Sequence, residues 1–240
     1  MFTIRIADLT IKLENRYSYV EMLCSDYVVQ SDECDFSVCA TDEEISEEMA
    51  QAETEQTSEA YAEAVCLHRK IAEQLWRYDC FLLHAALIEC DGIGFAFAAR
   101  SGVGKSTHIR LWQKNFHDRV RVINGDKPIV RVTADGIRAY GTPWNGKEGM
   151  GENRSSSLKH LCFLERSAEN VISDVSSGEA VMSLFPQIYM PENEEAVEKT
   201  LDLLDKFVEM VSFYRLGCNM ENEAALVAHS YMTQAREEGK

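Results

Sequence analysis

The sequence has no apolar run near the roughly 18–20 residues that a membrane-spanning helix needs. Its N-terminus, Met1-Phe2-Thr3-Ile4-Arg5-Ile6, lacks the basic-then-apolar layout of a secretory leader. The expectation is therefore a cytoplasmic protein with no membrane partner. An excess of positive charge is also missing: 24 Lys and Arg stand against 40 Asp and Glu, a formal net charge of −16. A duplex-binding surface displaces counterions with a cationic footprint, so nucleic acid is not an expected partner. The eight cysteines form no C-x-x-C pair. Several lie inside apolar runs, whereas disulfide scaffolds are short and cysteine-dense. They read as reduced, mostly buried thiols, with Cys34 and Cys39, in a polar stretch, left as weak candidates for metal or redox chemistry. Internal repeats and low-complexity segments are absent.

What is present suits one α/β domain with a small N-terminal extension: 240 residues, 45% of them hydrophobic. Two acidic runs, Asp42 to Glu55 and Glu192 to Asp205, read as solvated helix faces. Alternation in Phe2–Ile6 and Leu9–Leu13 predicts strands. Tyr27–Val29 and Phe36–Cys39 are candidates for two more, giving a small antiparallel sheet. Asp42–Gln56 reads as a polar helix or loop. Apolar residues at spacings near three and four predict a helix over Ser58–Tyr78 with a core-facing stripe. Strands follow over Phe81–Cys90 and Gly94–Ala99, with Asp91-Gly92 as a hairpin signal between them. A helix is expected over Thr107–Phe116, and strands over Val120–Ile123, Pro128–Thr133 and Ile137–Tyr140. Asp135-Gly136 is a second hairpin signal. Thr142–Ser157 has no apolar period and is long for a structureless connection, and such loops are often functional. Leu158–Leu164 and Phe213–Leu216 read as strands. Gly178–Phe185, Glu194–Val211 and Glu221–Arg236 read as helices.

One motif carries chemistry. Ala99-Arg100-Ser101-Gly102-Val103-Gly104-Lys105-Ser106-Thr107 matches the phosphate-loop consensus G-x-x-x-x-G-K-[ST] at every fixed position except the first, where Ala99 replaces glycine. The chemistry requires backbone N–H groups curled around phosphates, which small residues permit. The following helix adds the positive end of its dipole. An apolar strand before the loop and a helix after it are the context such a loop needs. Residues Arg100 to Thr107 are thus the expected binding segment for ATP or another nucleoside triphosphate. Lys105 is placed at the β- and γ-phosphates and Ser106 on Mg2+.

Phosphoryl transfer needs further groups: a carboxylate for magnesium and an acceptor for the substrate's proton. Asp126, closing the run Ile123-Asn124-Gly125-Asp126 at a strand end, is the candidate carboxylate. His84 lies in the apolar strand before the loop, where a core histidine and a catalytic one are both open readings. Lys147 and Arg154, in the polar loop, are candidates to neutralise charge on a transferring phosphoryl group, against the plainer role of surface solubility. Trp144 reads equally as a binding platform or a packing anchor.

His84 on a strand, the loop Ser101–Ser106 and the acid of Asn124-Gly125-Asp126 resemble, in order and spacing, the bacterial HPr serine kinase/phosphorylase family. That family shares its nucleotide-binding core with phosphoenolpyruvate carboxykinases. The resemblance covers Phe81 to Val132 well and the rest loosely. It implies an α/β fold with a mixed-sheet P-loop core at 58–240, behind a small β-rich N-terminal extension at 1–57. By position, Lys105 and Ser106 handle phosphates and magnesium, His84 stands near the transferred phosphate, and Asp126 matches one of two paired aspartates. The second acid is missing, since Gly125 precedes Asp126 and Lys127 follows it. Gly-Asp, like the segment Tyr140–Gly149, is closer to the carboxykinase version. The proton acceptor is therefore open among Asp126, His84 and Glu148. The family's N-terminal domain is not recognisable here, which suggests a stand-alone relative. The resemblance also leaves a homo-oligomer open.

The leading expectation is an ATP- and Mg-dependent kinase acting on a hydroxyl, with a serine of a small protein or peptide as acceptor. A small-molecule kinase would use the same site. A nucleotide-gated module without catalysis is the non-enzymatic alternative. A carboxykinase proper does not fit, because 240 residues leave little room for its second substrate-binding domain.

Overall fold

In the N-terminal segment, alternating residues give β1 (Phe2–Ile6) and β2 (Leu9–Glu14), which bury Ile4, Ile6, Leu9, Ile11 and Leu13 on one side. The computed structural model describes residues 1–51 and 57–234. The two strands form an antiparallel hairpin through Ala7 and Asp8, both at positive φ. The chain then passes through α1 (Ser18–Leu23) and a 3-10 turn before β3 (Phe36–Cys39). Here the sheet departs from expectation, because β3 pairs with β2 in parallel. A connection that crosses over through a helix returns the chain in the same direction, which a tight turn cannot do. Tyr27 belongs to the 3-10 turn, and Val28 makes only a single bridge to Ile4.

Two helices cover this sheet. In α2 (Asp42–Ala50), Thr41 and Glu44 form a capping box, and acids fill the first turn, where the helix dipole favours them. Glu44 and Glu48 pair with Lys70 and Arg69 of α3 (Glu59–Ala72), so part of the first acidic run holds two helices together. Residues 52–56, the end of that run and of the polar segment read as ending at Gln56, lie outside the described residues. The predicted helix Ser58–Tyr78 ends at Ala72, and a 3-10 turn, Leu75–Tyr78, closes on Asp79 in the left-handed region. The buried face of α3 packs with the three-stranded sheet, and the cluster runs on without a break into Cys80, Leu82, Ile129 and Tyr140.

The larger sheet is mixed. Its strands are β4 (Cys80–Leu82), β5 (Ala86–Cys90), β6 (Ile93–Ala98), β7 (Val120–Asn124), β8 (Ile129–Thr133), β9 (Gly136–Tyr140), β10 (Ser155–Arg166), β11 (Val171–Asp174) and β12 (Ser212–Cys218). Their order is β4-β8-β9-β10-β6-β5-β7, with β12 also on β10 and β11 on β12. The hairpin signals are both realised. Asp91 and Gly92 adopt φ 51° and 79° between β5 and β6, the left-handed pair that a two-residue turn requires. The single strand expected over Phe81–Cys90 is two. Leu83 bridges Ile188 and the His84 N–H donates to Gln187 O at 2.6 Å, so the chain leaves β8's side of the sheet before joining β6 and β7.

β10 is longer than its apolar core, Leu158–Leu164, suggested. Ser155–Ser157 pair antiparallel with β9, while the remainder runs parallel to β6 and β12. Helices α4 (Lys105–Phe116) and α7 (Glu223–Gln234) cover one face of this sheet. α5 (Ser177–Leu184) and α6 (Glu194–Met210) cover the other. Any continuation of the last helix to Arg236 lies outside the described residues. Alternation sends Phe95 and Phe97 toward α4, where Trp112 is fully buried, and Ala96 and Ala98 toward α6. Truncating a buried tryptophan of this kind costs about 3–5 kcal/mol. Along α6 the acids point outward from a stripe of Ala196, Leu203, Leu204, Phe207 and Val208, the solvated face read from the second acidic run. Among the described residues no helix is long and apolar enough to cross a membrane.

Candidate functional site

β6 ends at Ala98, and the glycine loop leads directly into α4. Gly102 and Gly104 adopt φ +77° and +127°, conformations that L side chains rarely take. Ala99 does not have a positive φ, which explains why the loop tolerates alanine where the consensus has glycine. Gly104 is the N-cap of α4, and no side chain caps that end. The first turn therefore presents backbone N–H groups and the positive end of the dipole, the arrangement that suits a phosphate. Arg166, at the end of β10, donates to the Gly102 carbonyl and pins the loop from outside. Among the described residues the Ser106 hydroxyl makes no hydrogen bond, so its oxygen is available to a ligand.

Three candidate residues from separate elements converge here. Lys105 Nζ lies 3.0 Å from His84 Nε2 and 3.8 Å from Asp126 Oδ1, and donates to Ala99 O at 3.3 Å. His84 Nε2 is 3.1 Å from Asp126 Oδ1. The break between β4 and β5 is what delivers His84: a residue inside a continuous strand would be locked in the ladder, whereas His84 stands at the opening with its side chain 37% exposed. Burial lowers the Lys105 ammonium below its ordinary pKa, against the opposing pull of Asp126. For Asp126, burial pushes upward, but the His84 hydrogen bond and the charges of His84, Lys105 and Lys127 outweigh it and hold the carboxyl below its ordinary range. The carboxylate is thus kept ionised in a half-buried place, beside a cation.

Asn124, fully buried, shapes the Asp126 turn. Its Oδ1 accepts from the N–H groups of Asp126 (2.9 Å) and Lys127 (2.6 Å), and its Nδ2 donates to the carbonyl and hydroxyl of Thr142. An asparagine two residues before the acid is an Asx-turn signal, and it was there to be found in the sequence. Gly125 is fixed by close approach. A Cβ there would stand 2.7 Å from Asn145 O and 3.1 Å from Met150 O. This is the physical reason why no second acid precedes Asp126.

The polar loop folds over this turn. Gly125 N–H donates to Met150 O, Glu152 N–H to Ile123 O, and Gly141 N–H to Arg154 O. Gly146, at φ +83°, lies against Asp126: a Cβ added there would stand 3.0 Å from the Asp126 Cβ. Lys147 follows at once and is exposed. Arg154 is also exposed and sits 3.4 Å from Glu152, and Glu148 pairs with Arg110 of α4. The loop thus brings Gly146 against Asp126, while neither Lys147 nor Arg154 is in ion-pair contact with that carboxylate. Trp144 is a packing anchor: its Nε1 donates to Ala64 O at 3.0 Å and its ring stacks on His68.

The other chemistry-bearing groups lie apart. All eight cysteines are free, five of them buried, and the exposed Cys34 and Cys39 join no cluster of ligating side chains among the described residues. Cys90, Asp91 and His229 do come together at the β5–β6 turn, but Arg119 already engages both Asp91 oxygens.

No protein-family model matches the chain, and no curated protein matches it. Among solved structures it is similar to the Hpr(Ser) kinase/phosphatase from Coxiella burnetii, at 7% identity and a TM-score of 0.38, over 64% of this chain and 97% of that one. A likeness of that size assigns the chain to no family.

Proposed function

We propose that the protein is a phosphotransferase that moves the γ-phosphate of ATP, or of another nucleoside triphosphate, to a hydroxyl, with a serine of a small protein or peptide as the acceptor. One observation carries this reading: Lys105, His84 and Asp126, from three separate elements, meet at the uncapped N-terminus of α4 behind the glycine loop. The motif resemblance to the HPr serine kinase family agrees with it.

The residues present suit magnesium. The donors on offer are oxygens, a held-ionised carboxylate on Asp126 and the unengaged hydroxyl of Ser106, and this hard dication takes one or two carboxylates while keeping several waters. When bound, it offsets the negative charge of the β- and γ-phosphate oxygens. Lys105 gives up Ala99 O for the phosphates, and the amide groups opening α4 hold them in place. The acceptor oxygen forms a bond to the γ-phosphorus as the bond from that phosphorus to the β-phosphate oxygen breaks. The acceptor's proton passes to the His84–Asp126 pair, and the nucleoside diphosphate leaves. Glu148, engaged with Arg110, is less suited to that proton.

The test is transfer from γ-labelled ATP with magnesium into a size-fractionated cell extract, with Lys105→Ala alongside. Label in a peptide or protein fraction, absent with Lys105→Ala, supports the reading. Label confined to small metabolites would make it a small-molecule kinase. Label that never leaves the nucleotide, or leaves only as free phosphate, would point to a nucleotide-gated module.

A further inference from the structure

The loop that backs Asp126 is fastened to the N-terminal layer and not only to the sheet that carries the site. Trp144 reaches across to α3, where its indole N–H donates to Ala64 O at 3.0 Å and its ring stacks on the His68 imidazole at 4.6 Å between centroids, 27° from parallel. Pro143 and Asn145 flank it, and Asn145 O and Met150 O are the groups that close on Gly125. On the other side His68 is buried. Burial, with Lys127 and Arg69 adding to it and Asp126 opposing, pushes its pKa down to about 3, so it is neutral and Lys127 and Asp126 are its electrostatic neighbours. A neutral ring is a better stacking face for indole than a charged one in a dry place, where an unpaired charge is expensive. The chain of contact is therefore continuous: α3, His68, Trp144, the 143–150 loop, Gly125, Asp126.

We propose that His68 and Trp144 are positioning residues for the site, through which α3 of the N-terminal layer holds the polar loop against the Asp126 turn. The inference rests on the proposed phosphotransferase reading for its effect on activity, but not for its effect on the loop. The carboxylate and its turn are held from below by Asn124 and from above by the loop. Loosening α3's grip leaves Asn124 in place and frees the upper contact. The phosphate loop is built on β6 and α4 and is not held by α3; α4 meets the polar loop through the exposed Arg110–Glu148 ion pair, at a residue away from the Trp144 stack. Nucleotide binding and phosphoryl transfer should then respond differently: the glycine loop still binds, while Asp126 is less well placed for the transfer.

Three variants test it: His68→Leu and Trp144→Leu, which remove the stack, and His68→Phe, which keeps an aromatic face. Amide hydrogen exchange is the first measurement. Faster exchange of about tenfold or more at Gly125 and Glu152 in the two leucine variants, with Ile109 and Trp112 of α4 unchanged and His68→Phe close to wild type, supports the inference. Exchange that rises everywhere, α4 included, would make the stack an ordinary stability contact and overturn it. So would unchanged exchange at Gly125 and Glu152. Steady-state kinetics is the second measurement: kcat is expected to fall about tenfold in the leucine variants, with the KM for nucleotide within about twofold and recovery in His68→Phe. A rise in KM with kcat unchanged overturns it. If wild-type protein transfers no phosphate at all, the phosphotransferase reading fails, and the exchange data still decide whether α3 positions the loop.

Discussion

His84 Nε2 stands 3.1 Å from the carboxylate of Asp126, and it is the same nitrogen that lies 3.0 Å from the Lys105 ammonium. A single ring nitrogen either donates to the carboxylate or accepts from the ammonium, never both. The pair is therefore poised between two arrangements. With Lys105 turned back on His84, the ring accepts. With Lys105 drawn to a phosphate, Nε2 is free to carry a proton toward Asp126. On the proposed phosphotransferase reading, this one hydrogen-bond choice would couple binding of the nucleotide to readiness to take the acceptor's proton.

Substituting Asp126 by Asn keeps the shape and removes the charge. Phosphate transfer is expected to fall by at least a hundredfold, while nucleotide binding, measured by titration calorimetry, is retained in part. Full transfer activity in Asp126→Asn would falsify the metal and proton roles given to this residue.

The same substitution has a pH signature. The folded-state pKa of Asp126 lies below its ordinary value of 3.8, so ionised Asp126 contributes stability that is fully present above that pH. The contribution is lost as pH falls through the folded-state value. Urea unfolding of wild type and Asp126→Asn should show a stability difference at pH 5 that narrows as pH falls below about 3.8. A difference that grows on acidification would mean that the carboxyl is not held ionised by its neighbours.

Gly125→Ala tests the close approach above Asp126. The added Cβ meets backbone oxygen, which has no rotamer to move aside. A loss of about 1–3 kcal/mol in urea unfolding is expected, with activity falling further than stability because the turn that carries the carboxylate must shift.

Asn124→Ala removes the side chain that satisfies two N–H groups of the turn. The expected loss of stability is about 1–3 kcal/mol. Asn124→Asp, which keeps an accepting oxygen but buries a charge against the Thr142 carbonyl, should be at least as destabilised as the alanine variant near neutral pH. Equal stability of all three proteins would show that the turn holds itself.

Arg166→Ala frees the Gly102 carbonyl and with it the outer side of the glycine loop. Affinity for the triphosphate, read by fluorescence titration, should weaken about three- to tenfold with the unfolding midpoint little changed. Undiminished affinity would show that the loop needs no external support.

The candidate site was legible in the sequence where its geometry depends on local chain chemistry. The glycine loop, the lysine that follows it and the acid after a strand are short-range patterns. The hairpins at Asp91-Gly92 and Asp135-Gly136 are of the same kind, since a turn type dictates its residues. What could not be read was set by partners distant along the chain. The strand break that exposes His84 exists because Leu83 and His84 bond to Ile188 and Gln187 rather than to a strand. Ser155–Ser157 extend β10 without an apolar period, because their partner strand supplies the order. β11, mostly exposed at an edge, carries no inward alternation to betray it. The parallel pairing of β3 follows from α1, a helix too short for its periodicity to be seen.

β10 pairs with three strands taken from three different stretches of the chain, antiparallel at one end and parallel along the rest. Every one of those pairings closes a long loop before any contact rewards it, and contacts of that kind slow folding. The hairpins can form early and alone, and β5 joins β6 to β7 directly, but the polar loop strung between β9 and β10 cannot close over the Asp126 turn until β10 has been captured between β9 and β6. Closure of that loop over Asp126 should thus appear late in refolding, after most of the secondary structure, and a chain still emerging from the ribosome would carry a finished glycine loop long before it had the β12 strand that completes the sheet on β10's other side.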